Sequence, residues 1–111
     1  MHAVIRRYRA TPEVLREARP KLDHLERTMR DIPGFVAYYF LQTDDGVATI
    51  TVTEDEAGAD ESMGRAARWV QENLQSRNQL SAPDVTRGQA LIGAMRAAGA
   101  APAAPATGTR Q

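Results

Sequence analysis

Cysteine is absent from the 111 residues, so neither a disulfide framework nor a thiolate metal site can be built. Histidine occurs only as His2 and His24, and two imidazoles so far apart in the chain do not make a metal-ligand cluster. An excess of either charge is also missing. Fourteen Lys plus Arg balance 14 Asp plus Glu, which argues against a general nucleic-acid or anionic-membrane binder. No apolar run is long enough to span a bilayer, because Arg6, Arg7 and Arg9 interrupt the first one, and a soluble, cytoplasmic protein is expected. A phosphate-cradling glycine loop, a Ser-His-Asp arrangement and a dinucleotide fingerprint are all lacking. Neither a metal nor a cofactor is expected.

What is present is periodic hydrophobicity. Residues 2 to 9 alternate, with His2, Val4, Arg6 and Tyr8 on one side of a strand and Ala3, Ile5, Arg7 and Arg9 on the other. Thr11-Pro12-Glu13 reads as a helix start: a capping hydroxyl, a first-turn proline and an acid at the positive dipole end. Leu15, Ala18, Leu22, Leu25, Met29 and Ile32 then recur every three or four residues. That stripe runs through Pro20, so a kink or break is expected near Ala18 and Arg19, with Pro33-Gly34 ending the helix.

Phe35 to Thr43 and Val47 to Glu54 read as strands joined by a hairpin turn at Asp45-Gly46. Pairing Asp44 with Val47 sets Leu41 against Ile50, Tyr39 against Val52 and Phe40 against Thr51. On that register Phe35, Ala37, Tyr39, Leu41, Ala48, Ile50 and Val52 form a nearly pure apolar face, expected beneath the helices. Val36, Tyr38, Phe40, Gln42, Thr49, Thr51 and Thr53 form the second face, and its large apolar groups suggest a subunit interface.

The acidic cluster at Glu54-Asp55-Glu56 and Asp60-Glu61 suits the start of a second helix over residues 57 to 75, with metal binding as the alternative. Ala59, Met63, Ala66, Val70 and Leu74 supply its stripe. A loop and a final strand over Asp84 to Ile92 follow, with Gly88 marking a bulge or a close approach. The order is β-α-β-β-α-β, an α+β ferredoxin-like arrangement with a four-stranded antiparallel sheet. Residues 1 to 95 make one domain. From residue 96 to 111 the chain is Ala/Pro/Gly-rich without apolar period, and a disordered tail is expected. A domain this small buries only about 60 to 70% of its unfolded surface, so self-association would enlarge its core.

Pro33-Gly34-Phe35-Val36-Ala37-Tyr38-Tyr39, the hairpin Asp44 to Val52, Ala57-Gly58-Ala59-Asp60-Glu61-Ser62 and Ala66-Ala67-Arg68-Trp69-Val70-Gln71-Glu72-Asn73-Leu74 resemble the antibiotic biosynthesis monooxygenase-like domains. The resemblance extends over about residues 2 to 92 and is strongest to small bacterial members of that group. It implies a dimeric α+β barrel: a homodimer with sheets face to face and a small cavity in each protomer between sheet and helices. Relatives include cofactor-free oxygenases of phenolic or quinol substrates and haem-degrading enzymes. The latter carry their iron ligand on the second helix, where this chain has no histidine, so haem is not expected.

Trp69 and Asn73, four residues apart, share a helix flank facing the sheet side expected to carry Tyr39. An aromatic wall with a few hydrogen-bonding groups suits a planar phenolic ligand, although buried aromatics also serve as plain core. Arg6 and Arg7 point to opposite sheet faces, so one guanidinium needs a buried partner: a ligand anion, Glu54, or a carboxylate of a second subunit. His24 is a candidate base or haem ligand, or else a histidine at the edge of the core.

Two functions follow. In the first, a cofactor-independent monooxygenase acts on a small aromatic quinol or phenol, with Trp69, Asn73 and His24 as catalytic candidates and Tyr39, Arg7 and Trp69 binding substrate. In the second, a non-catalytic dimeric module binds a small hydrophobic ligand or a protein partner.

Overall fold

The computed structural model describes residues 1–96. Its elements are β1 (His2–Arg9), α1 (Pro12–Ala18), a 3-10 turn (Arg19–Lys21), α2 (Leu22–Arg30), β2 (Phe35–Thr43), β3 (Gly46–Thr53), α3 (Glu56–Asn73), a second 3-10 turn (Arg77–Gln79) and β4 (Asp84–Gln89). The strands form one antiparallel sheet in the order β2-β3-β1-β4, the ferredoxin-like topology. The Ala/Pro/Gly-rich segment, apart from Arg96, lies outside the described residues.

Pro20 sits inside the 3-10 turn that separates α1 from α2, where the expected break falls. The missing amide hydrogen is accommodated by tighter turns, and the apolar stripe continues across the break with Ala18, Leu25, Met29 and Ile32 buried. Thr11 does not cap α1 with its side chain. Its hydroxyl instead donates to Gln79 Oε1 at 2.6 Å, tying the helix start to the second 3-10 turn. The acids before α3 do cap: Asp55 Oδ1 accepts from the Gly58 N–H at 2.9 Å. Asp60 pairs with Arg87 at 2.8 Å.

The hairpin corrects the expected register. Thr43 pairs with Gly46, so Asp44 and Asp45 form the turn, and Leu41 faces Ala48, Tyr39 faces Ile50 and Phe40 faces Thr49. Gly46 serves a different purpose from the one expected of it. A Cβ there would stand 2.1 Å from the Tyr8 carbonyl oxygen, so glycine is required for the approach of β1 to β3. Gly34, at φ 79°, occupies the left-handed region that lets the chain turn from α2 into β2.

The assignment of faces is corrected as well. Phe35 pairs with Thr53 and Ala37 with Val52, so a bulge at Val36 lets Phe35 and Tyr38 share the helix side while Ala37 faces away. Tyr38 and Phe40 pack on the helices, and Thr49, Thr51 and Thr53 are buried opposite them. Tyr39 and Leu41 stand on the face without helices, 55% and 44% exposed, alongside Ile50 and Val52. The alternation was periodic but carried no sign, and the more apolar side is the one that the helices leave open. Gly88, expected at a bulge or a close approach, pairs regularly with Ala3 and has nothing within 4 Å of where a Cβ would stand, and β4 ends at Gln89.

Candidate functional site

A cavity of about 40 Å³ lies between the sheet and the helices. Arg6 and Tyr8 of β1 and Thr49 of β3 form its floor, Tyr38 and Phe40 of β2 one wall, and Trp69 of α3 the roof. That space holds a few water-sized groups. It adjoins a solvent-facing cleft of about 440 Å³, with Arg6, Tyr8, Ala66, Val70 and Leu80 lining both.

Arg6 reaches this place by simple alternation. His2, Val4, Arg6 and Tyr8 are the β1 residues on the helix side, and Val4 and Arg6 are 0% and 2% exposed. The Arg6 Nη1 lies 3.9 Å from Met63 Sδ, a weak acceptor, while Nε and Nη2 are buried without a partner among the described residues. The Thr51 hydroxyl is likewise buried without a partner among the described residues, and Thr49, whose hydroxyl lies beside the Tyr38 phenol, stands directly across the ladder from Arg6. Burial pushes the Tyr38 phenol well above its ordinary range, while the Arg6 charge acts in the opposite direction. Tyr38 therefore stays protonated at neutral pH.

Trp69 is 5% exposed, and its indole N–H donates to His24 Nδ1 at 3.0 Å. The Asn73 side-chain amide donates to the Trp69 carbonyl at 2.9 Å, and Lys21 Nζ donates to the Asn73 carbonyl. The three catalytic candidates are thus brought together, but they meet around Trp69. His24 is exposed on α2 and Asn73 half-buried; of the three, Trp69 is the cavity-lining residue. Tyr39 and Arg7, expected in the pocket, project from the opposite face of the sheet, because the Val36 bulge and the parity of β1 place Tyr38 and Arg6 inside instead.

Tyr38 and Thr49 are the site residues that sequence reasoning did not select; Arg6 and Arg7 were weighed together as the guanidinium needing a buried partner, and the parity of β1 makes it Arg6. Arg6 was signalled by its strand partners Val4 and Tyr8. Thr49 was obscured by its polarity, which made a buried strand face look like a surface. Among the described residues no group of three or more His, Cys, Asp or Glu could hold a metal ion. No helix among them is long and apolar enough to cross a membrane.

Comparison with solved structures places this architecture. A protein of unknown function from Nitrosomonas europaea, NE2512, superposes with a TM-score of 0.67 at 20% identity, covering 86% of this chain and 94% of its own. An antibiotic biosynthesis monooxygenase superposes at 0.64 with 19% identity, over 83% of this chain and 100% of its own. The fold is that of the antibiotic biosynthesis monooxygenase-like domains. SnoaB, a cofactor-independent oxygenase from Streptomyces nogalater, shares this monooxygenase-like fold at a TM-score of 0.57 and 15% identity, over 83% of this chain and 94% of its own. Neither a protein-family model nor a curated protein matches the chain.

Proposed function

We propose that this chain is a homodimeric, cofactor-independent monooxygenase acting on a small aromatic quinol or phenol held where the cavity beneath Trp69 opens into the cleft. One observation carries the reading: an apolar, Trp69-roofed cavity with a buried cation, Arg6, at its junction with an open cleft. An electron-rich aromatic supplies the reducing electrons itself once deprotonated. It passes an electron to O2, the two radicals combine at carbon, and loss of water leaves a carbonyl, so that a ring methylene and O2 become a carbonyl and water. The protein has to exclude solvent and hold the anion. Arg6 favours the deprotonated substrate and Trp69 packs against its ring. His24 and Asn73 act through Trp69, as positioning residues.

In the dimer the open sheet faces meet, with Tyr39, Leu41, Ile50 and Val52 from each subunit. Tyr39 and Arg7 belong to that pairing surface in this reading. Oxygen uptake with a panel of hydroquinones and anthrones tests the activity. Turnover that falls at least about tenfold in Trp69→Phe is expected. Uptake no faster than buffer, unchanged in that variant, excludes the oxygenase.

The second reading is a non-catalytic dimeric module that binds a small hydrophobic ligand. What favours it is the lining itself, which holds no carboxylate or imidazole in either the cavity or the cleft among the described residues. It predicts saturable binding without oxygen consumption.

A further inference from the structure

We propose that the junction of the cavity with its cleft is a carboxylate site, that one edge of the Arg6 guanidinium receives the carboxylate, and that the ligand is a monocarboxylate whose apolar body lies in the cleft. This deepens the reading of the cavity as a ligand site and rests on it.

An arginine keeps its charge at every accessible pH, so a guanidinium 2% exposed cannot relieve its burial by losing a proton. It needs an anion, and among the described residues no carboxylate pairs with it. The two unpartnered nitrogens, Nε and Nη2, are on the same edge of the planar group. Their N–H bonds run parallel at a spacing that matches the two oxygens of a carboxylate, the bidentate side-on geometry. A neutral phenol or ketone oxygen would occupy only part of that edge and leave the charge uncompensated. Thr49, the cross-strand neighbour of Arg6, has a buried hydroxyl beside the Tyr38 phenol that can supply a third donor. The remaining surroundings select the body of the ligand. Met63, Ala66, Val70 and Leu80, which line the cleft beside Arg6, offer apolar surface.

Isothermal titration of the full chain with 1-naphthoate and with 1-naphthamide, which has the same shape and no charge, tests the assignment. The acid is expected to bind at least about tenfold more tightly than the amide, as a charge-assisted bidentate contact requires. Arg6→Gln should bring the two within about twofold, whereas Arg68→Gln, which removes an exposed cation elsewhere on α3, should leave the preference intact. Equal binding of acid and amide by the wild type overturns the proposal and needs no variant to fold; a preference that persists in Arg6→Gln also overturns it. Quinol-dependent oxygen uptake without acid preference would remove the carboxylate site and leave the oxygenase reading standing. Acid preference without oxygen uptake would do the reverse.

Discussion

The Trp69 indole N–H donates to Nδ1 of His24 across the α2–α3 contact at 3.0 Å, so the roof of the cavity is fastened to a histidine on the outside of the domain. For Nδ1 to accept, the imidazole must be neutral and carry its proton on Nε2. A residue on the outside of the domain thus holds the orientation of one that lines the cavity.

Replacing His24 with Ala leaves a mostly buried N–H without a partner, which costs about 1 to 3 kcal/mol. Urea unfolding followed by the fluorescence of Trp69, the only tryptophan in the chain, measures that loss. His24→Gln, which retains an acceptor, should recover part of it.

Glu17 of α1 accepts from the Ser76 hydroxyl at 2.5 Å and from the Gln75 and Ser76 amides at 2.7 and 2.9 Å, holding the loop after α3. The Ser76 hydroxyl first, then these amides, lower its carboxyl from 4.5 to about 2. A depressed folded-state pKa means the stabilisation is complete above the unfolded value and is lost as pH falls through about 2. Glu17→Gln should therefore melt below wild type at pH 7, and thermal scans from pH 7 down to pH 2 should show the gap closing. A gap that is constant with pH would exclude this role.

The two glycines Gly46 and Gly64 should respond oppositely to alanine. At Gly46 the new Cβ would meet the Tyr8 backbone at 2.1 Å, and a loss of about 3 kcal/mol or more is expected from forcing β1 and β3 apart. At Gly64, exposed within α3 with nothing within 4 Å, alanine should stabilise by about 0.5 to 1 kcal/mol. Chemical denaturation of both variants measures the pair.

The proposed dimer separates the two sheet faces experimentally. Light scattering should give about twice the 12.2 kDa chain mass for the wild type. Leu41→Glu, on the open face, should yield a folded monomer. Phe40→Glu, one residue away but packed under the helices, should unfold the chain because the charge has no solvated alternative. Circular dichroism distinguishes the two outcomes, and a dimer unaffected by Leu41→Glu would contradict pairing through this face.

By itself the sequence determined the elements and their order. The helix break at Pro20, the acidic cap at Asp55, the hairpin and the ferredoxin-like alternation depend on local rules: proline has no N–H, a carboxylate can accept at a helix start, and apolar residues recur with the period of their element. Tertiary structure decided which side of the sheet is the inside. Period two says that Tyr38 and Tyr39 face opposite ways without saying which way is in, and the bulge at Val36 shifts the phase with no residue signal of its own. That choice moved Tyr39 and Arg7 out of the cavity and brought in Tyr38, Thr49 and Arg6. Whether a buried guanidinium has a partner depends on every element packed around it, which no local pattern encodes.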